Sequence, residues 1–351
     1  MHAWWVVAAV VYVLIILHAA WYLLSYRYQY KPLAPQSVID AFLAQSRKNM
    51  GLDYIDMKKF QYDWVESNGA RLRIVILEAP AGSPCVVFVP GTAAYALCYV
   101  EFLYKLHLEG FHVIGMDPRG HGYSIPPRGS FTINELADDA LEVCRYAKKR
   151  FNTRVGLAGS SQGGITTFYA AAKGEVISSA MCHNIADLNG RDNLILSQFR
   201  PPAWMIPFVR FVFKLYQNYS VPLTFYLNFS QQVLKDGELS MDYFKRDPLA
   251  VIAYTCKVMR SLAKTKLACP VEEIRTPMMV LQASADAIFP MKYEKSVYDR
   301  LQKCEKRWVV LEGLPHLTLI NLVWLAIPPV AEWFWHTLAP ERQQVAAGGN
   351  S

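Results

Sequence analysis

The chain is 351 residues long, 53% hydrophobic and only 19% charged, with a formal net charge of +7 and a mean hydropathy of +0.11. An average soluble domain carries roughly 25% charged residues, so intrinsic disorder is excluded and some apolar surface is expected to face something other than water. The surplus of 36 Lys+Arg over 29 Asp+Glu lacks the basic runs of nucleic-acid binders; it suits a membrane surface and argues against DNA or RNA as a partner.

Residues 3–24, AWWVVAAVVYVLIILHAAWYLL, are interrupted only by Tyr12, His18 and Tyr22. At about 1.5 Å per residue such a helix crosses a hydrocarbon core of about 30 Å. Trp4 and Trp5 at one end, and Trp21, Tyr22, Tyr26 and Tyr28 at the other, resemble the two aromatic belts of a spanning helix. A retained anchor is expected. The alternatives are a buried soluble helix or a cleaved signal, whose basic start, shorter apolar stretch and small-residue cleavage site are not evident. Arg27, Lys31, Arg47 and Lys48 follow the span while only the terminal amine and His2 precede it, which puts the bulk of the protein on the cytoplasmic side. His18 is read as neutral, either packed or near the interface, rather than as a functional intramembrane group. The cysteines, at 85, 98, 144, 182, 256, 269 and 304, form no CxxC pair and no zinc-type cluster, and fit a reducing compartment. Two sequons, beginning at Asn218 and Asn228, point weakly the other way.

Past a juxtamembrane segment, 25–59, amphipathic around 36–50, residues 60–80 read as two strands joined by the Asn68-Gly69 turn. Apolar runs at 85–89, 111–117, 154–159, 176–185, 277–284 and 307–313 then alternate with helical periods at 95–109, 132–149, 162–172, about 291–302 and a last helix through 333. That rhythm implies right-handed βαβ units and a mainly parallel sheet within a domain spanning 60–338. The Pro- and aromatic-rich interval 187–276 breaks it and is read as a helical cap inserted over the sheet's carboxyl edge. Residues 339–351 read as a disordered tail.

The strongest local signal is Gly159-Ser160-Ser161-Gln162-Gly163, a G-x-S-x-G between a predicted strand and a predicted helix. Flanking glycines permit the sharp turn that lifts a serine Oγ clear of the sheet, so Ser161 is the candidate nucleophile. Gln162 opens the helix, where free N–H groups favour an oxyanion. The serine needs a base, and the base needs a carboxylate to hold its tautomer. His316 is the histidine just past a late strand in a loop, and Asp286 follows the strand before it. Glu312 is too near His316 in sequence, and Asp187 precedes the cap. The second backbone donor should come from the turn after the first buried strand, Val89-Pro90-Gly91-Thr92-Ala93, with the N–H of Thr92 as the choice.

Taken together, VFVPGT, GMDPRGHGYS, GSSQGG, ASAD and LPH resemble the α/β-hydrolase fold, and within it the monoacylglycerol lipase and serine-aminopeptidase-like group. The resemblance covers roughly 60–338 and implies an eight-stranded, mainly parallel sheet, a Ser161-Asp286-His316 triad and no metal or organic cofactor. His121, in the segment 117–124, takes a structural role by the same likeness. Pro90 stands where the family usually has the His of an HG pair, which leaves the second donor open between Thr92 and Ala93. Serine in the nucleophile position makes acyl transfer to water the expected reaction.

The cap residues Phe199, Trp204, Met205, Phe208, Phe211, Phe213, Tyr216, Phe225, Tyr226 and Phe229, with Arg200, Arg210 and Lys214 among them, form either a lid that lines an acyl pocket and dips into the bilayer, or packing onto the sheet. Trp204, Phe208 and Phe211 are the substrate-binding candidates. The expected activity is a membrane-anchored lipase or esterase acting on a lipid or other apolar ester, such as a monoacylglycerol or lysolipid. A peptidase, thioesterase or acyltransferase on the same machinery, or a non-catalytic lipid-binding scaffold, is the alternative. Oligomeric state is not legible.

Overall fold

The computed structural model describes residues 2–174, 176–190, 198 and 201–339. Phe199 and Arg200 of the cap, and the tail beyond 339, lie outside the described residues. The chain opens with α1 (His2–Gln29) and α2 (Gln36–Asn49), followed by the hairpin β1 (Gln61–Ser67) and β2 (Ala70–Leu77). Asn68 and Gly69, with φ of 41° and 76°, supply the two positive-φ positions that a tight hairpin turn needs. Then come β3 (Cys85–Val89), α3 (Val100–Leu108), β4 (His112–Met116), α4 (Ile133–Phe151), β5 (Val155–Ser160), α5 (Gln162–Ala171) and β6 (Ser179–His183). The cap contributes α6 (Ile206–Leu215), β7 (Ser220–Pro222), α7 (Ser240–Arg246), β8 (Ala253–Thr255) and α8 (Cys256–Ala263). The sheet resumes with β9 (Met278–Ala283), α9 (Met291–Asp299), β10 (Lys306–Leu311), α10 (Thr318–Asn321) and α11 (Val323–Leu338).

The main sheet has eight strands in the order β1-β2-β4-β3-β5-β6-β9-β10. β1 and β2 are antiparallel and the remaining six run parallel to one another. This is the α/β-hydrolase architecture that the resemblance implied. β3 shows why its strands read as unbroken apolar runs: Val87 and Val89 join the core under α4 and α5, while Val86 and Phe88 join the core under α3 and α11. With helices on both faces, alternation has no polar side to report.

Local chemistry sets the helix ends. Thr132 and Glu135 form a reciprocal capping box at the start of α4, a feature worth about 1 kcal/mol. The helix expected from residue 95 begins instead at Val100, after a 3₁₀ turn over Ala96–Tyr99. There the N–H of Ala96 donates to Asp117 Oδ1 at 2.9 Å, which ties the turn to the loop after β4. The pairing of β7 with β8 has no signature in a Pro- and aromatic-rich stretch and was not expected.

The N-terminal helix is apolar and long enough to span a membrane over Trp4–Gln29, and its most apolar window is not buried against the rest of the protein. Its last turns dock on the cap. Trp21 Nε1 donates to the Ser220 carbonyl at 3.0 Å, Ser25 Oγ accepts from Ser220 N–H at 2.9 Å, and Gln29 Nε2 donates to the Asn218 carbonyl at 2.8 Å. His18 shares a 3.0 Å hydrogen bond with the Tyr219 hydroxyl and packs edge-on to Tyr216. His18 thus touches the cap through these two tyrosines while the rest of its residue surface stays exposed.

Candidate active site

Ser161 sits between β5 and α5 with φ 55° and ψ −120°, a left-handed backbone that a non-glycine residue adopts only when its surroundings enforce it. Two glycines make the turn possible. A Cβ on Gly163 would strike the Val89 carbonyl, and one on Gly159 would strike the Gly163 carbonyl, so α5 can approach β3 and β5 closely enough to present the serine.

The loops after β9 and β10 bring the other two residues to it. His316 Nε2 lies 3.0 Å from Ser161 Oγ, and His316 Nδ1 lies 2.7 Å from Asp286 Oδ2. The remaining oxygen of Asp286, Oδ1, accepts the N–H groups of Ile288 at 2.7 Å and Phe289 at 2.9 Å. Burial would raise this carboxyl, but His316 and the Phe289 N–H outweigh burial and hold it at about 2. Phe289 stacks on the imidazole, with ring planes 4° apart, fixing its plane as Asp286 fixes its tautomer.

The expected oxyanion donors are adjacent. Ala93 N–H donates to the Tyr254 hydroxyl at 3.2 Å, so it is engaged, whereas no hydrogen bond engages the N–H of Thr92 or of Gln162 among the described residues. Thr92 Oγ1 donates to Gln162 Oε1 at 3.3 Å, tying the two segments together. Both residues, with Ser161, line a cavity of about 1110 Å³ counted with its open mouth.

A family model described as serine aminopeptidase, S33, matches residues 81–322. The chain belongs to that family. Among curated proteins, the human serine hydrolase BPHL is 39% identical over 110 residues, 31% of this chain and 37% of that protein. The chain spans about a third of the length of the curated relatives it matches. Among solved structures, a monoacylglycerol lipase from Paleococcus ferrophilus is similar with a TM-score of 0.55 at 20% identity, covering 75% of this chain and 99% of that one. A soluble variant of the Saccharomyces cerevisiae monoglyceride lipase gives 0.59 at 13%, covering 79% and 96%. Likeness at these identities speaks to the fold.

The cap of this S33 chain corrects one expectation. Trp204, Phe208 and Phe211 do not line the cavity; they are 80%, 63% and 60% exposed. Helical spacing explains the error: Ile206, Val209, Arg210 and Phe213 occupy the stripe that faces the cavity, so 204, 208, 211 and 215 fall on the opposite face. The closely spaced aromatics read as one surface, but α6 splits them between two faces.

Three residues at the site escaped the sequence reading. Tyr254 OH accepts from Ala93 and lies 2.8 Å from His121 Nε2. His121 Nδ1 lies 3.0 Å from the Arg119 carbonyl, and burial pushes the ring down to about 4. The neutral ring therefore donates through Nδ1 and accepts the Tyr254 hydroxyl proton at Nε2, a relay that fixes the Thr92-Ala93 turn. Tyr254→Phe leaves the Ala93 N–H without its acceptor, and kcat is expected to fall about tenfold with KM little changed; a raised KM with kcat unchanged would assign Tyr254 to substrate binding instead. Behind the triad, Asn184 Nδ2 approaches Gln282 Oε1 at 3.1 Å, Asp286 Oδ2 at 3.2 Å and Glu294 Oε2 at 3.2 Å. Its two protons can serve two of these at once. Burial drives the Glu294 carboxyl well above the carboxylate range, against the Ile185 N–H and the Asn184 amide that both donate to it.

Proposed function

We propose that this protein is a membrane-anchored serine hydrolase that cleaves carboxylic esters of lipophilic substrates. The observation that carries the reading is the opening of Ser161, with His316 and Asp286 behind it, onto a cavity walled by apolar side chains of the cap, Ile206, Val209, Phe213 and Met259 among them. His316 Nε2 takes the Ser161 proton as Oγ attacks the ester carbonyl, and Asp286 stabilises the imidazolium that forms. The tetrahedral oxyanion is received by the N–H groups of Thr92 and Gln162. Collapse returns the proton from His316 to the departing alcohol, and a water activated by the same nitrogen then releases the acid.

The cavity favours an ester over a peptide with a free amino terminus. Its charged lining residues are Arg210 and Arg260, with no carboxylate among the described residues that line it, and two guanidinium groups repel an ammonium ion. The anchor reading gains from the docking of α1, since Trp21, Ser25 and Gln29 hold the cap by hydrogen bonds that a cleaved signal would not supply. Tyr216, at the end of α6, packs on His18 and Trp21. His18 lies about 9 Å along the helix from residue 24, at about 1.5 Å per residue, which supports the reading that α6 lies at the bilayer boundary. On that helix Trp204, Phe208, Phe211 and Leu215 face outward; burying each in lipid recovers about 1.5–3 kcal/mol. The basic flank of Arg27 and Lys31 orients the hydrolase domain to the cytoplasm.

One experiment tests both parts. A membrane-impermeant fluorophosphonate should label the wild type in sealed, right-side-out vesicles only after permeabilisation, and should not label Ser161→Ala. Absence of labelling together with no hydrolysis of aryl, glyceryl or thio esters would end the hydrolase reading; labelling before permeabilisation would reverse the orientation.

A further inference from the structure

Beyond Thr92, Ser161 and Gln162 at its floor, the cavity that holds Ser161 is mainly apolar, and α6 and α8, which pack against each other, contribute its charged lining residues, Arg210 and Arg260. Arg210 is exposed and Arg260 is half-buried, so the pair stands at the mouth rather than at the floor where Ser161 lies. Elsewhere the protein satisfies its arginines with carboxylates: Arg119 with Asp139, Arg150 with Glu78, Arg300 with Asp187 and Glu272. Among the described residues neither Arg210 nor Arg260 has an ion pair or a side-chain hydrogen bond. Two like charges lining one cavity with no counter-charge among the described residues gain most from an anion placed between them, and the guanidinium fork matches a phosphate with two parallel hydrogen bonds.

We propose that the ester substrate bears an anionic phosphate headgroup held by Arg210 and Arg260, with its single acyl chain in the apolar interior and its carbonyl at Ser161. This rests on the hydrolase reading above. The reaction is then hydrolysis of a lysophospholipid: the acyl C–O bond breaks, water supplies the acid's hydroxyl and the alcohol's proton, and a fatty acid and a glycerophosphate leave. The apolar stripe of Ile206, Val209 and Phe213 recognises the chain, and the same helix supplies the charge that distinguishes the head. One face of α6 thus selects both ends of the molecule.

The test compares 1-oleoylglycerol with 1-oleoylglycerol 3-phosphate, using the full chain in nonionic detergent micelles. The wild type should prefer the phosphate ester by about tenfold or more in kcat/KM, the order of one lost charge-assisted hydrogen bond, with the difference carried by KM. The preference should shrink with added salt and disappear in Arg210→Gln/Arg260→Gln, whose cooperative melting shows that it is folded. Arg260→Lys, which keeps the charge and loses the fork, should retain part of it. A wild type that hydrolyses the neutral ester as well or better, or a ratio unchanged by these variants, overturns the proposal while leaving the hydrolase reading intact. Failure to hydrolyse either ester, with no fluorophosphonate labelling, overturns both. A non-hydrolysable anionic ether lipid in vesicles separates the other source of phosphate: if it stimulates neutral-ester turnover through these arginines while the micelle ratio is unchanged, the pair serves the bilayer surface and the proposal fails.

Discussion

His316→Ala is expected to lower kcat/KM for an activated aryl ester by about a million-fold, and the double variant Ser161→Ala/His316→Ala is expected to be no worse, because nucleophile and base act as one unit. The reason lies in the 3.0 Å contact between His316 Nε2 and Ser161 Oγ. Without an acceptor there, the serine must lose its proton to water at neutral pH. The two backbone donors at Thr92 and Gln162 would still receive an oxyanion, so a residual acceleration over the uncatalysed reaction should persist in both variants. Steady-state kinetics on a single ester, with enzyme concentration checked by absorbance, decides the matter. Additive losses in the double variant would mean that Ser161 and His316 serve separate steps.

The turn at Ser161 was legible because its cause is local. Gly159 and Gly163 flank the serine in the sequence and so mark the turn, although the backbone that Gly163 makes room for, the Val89 carbonyl, belongs to β3. Asp286 and His316 were legible for a related reason: each follows a strongly apolar strand, and strand ends of a parallel sheet converge on one edge. What sequence spacing could not supply was the direction of a side chain on a cap helix packed on one face only. Trp204, Phe208 and Phe211 carry the same apolar signal as Phe213, and the contact of α6 with α8, set by the tertiary fold, decides which stripe turns inward. Tyr254 and Glu294 were hidden for another reason. Tyr254 reaches Ala93 across 161 positions and Glu294 reaches Asn184 across 110, and no local pattern marks either one. Asn184 did leave a trace: it ends an apolar strand run and adopts φ 80°, a conformation asparagine tolerates better than most residues.

Asp286→Asn is expected to cost about ten-thousand-fold in kcat, by a route that the hydrogen bonds dictate. Oδ1 of Asp286 accepts two backbone N–H groups, from Ile288 and Phe289, so an asparagine must keep its carbonyl oxygen there. Its NH₂ group then replaces Oδ2 and faces His316 Nδ1 at the 2.7 Å position. Two donors cannot share that contact. The imidazole must move its proton to Nε2, which points at Ser161 Oγ and can no longer accept the serine proton. The same NH₂ would also confront Asn184 Nδ2, now donor against donor. Stability should report the lost charge independently. The Asp286 carboxyl, held at about 2 against an ordinary 3.8, is depressed in the folded state; its contribution is therefore complete above about pH 4 and lost as pH falls through 2, amounting to about 2 kcal/mol at 1.36 kcal/mol per pH unit. Thermal unfolding of wild type and Asp286→Asn should accordingly converge as pH drops from about 4 towards 2. A gap that stays constant over that interval would mean that the asparagine destabilises by misfit alone, whereas convergence with an unchanged kcat would leave Asp286 with a structural role only.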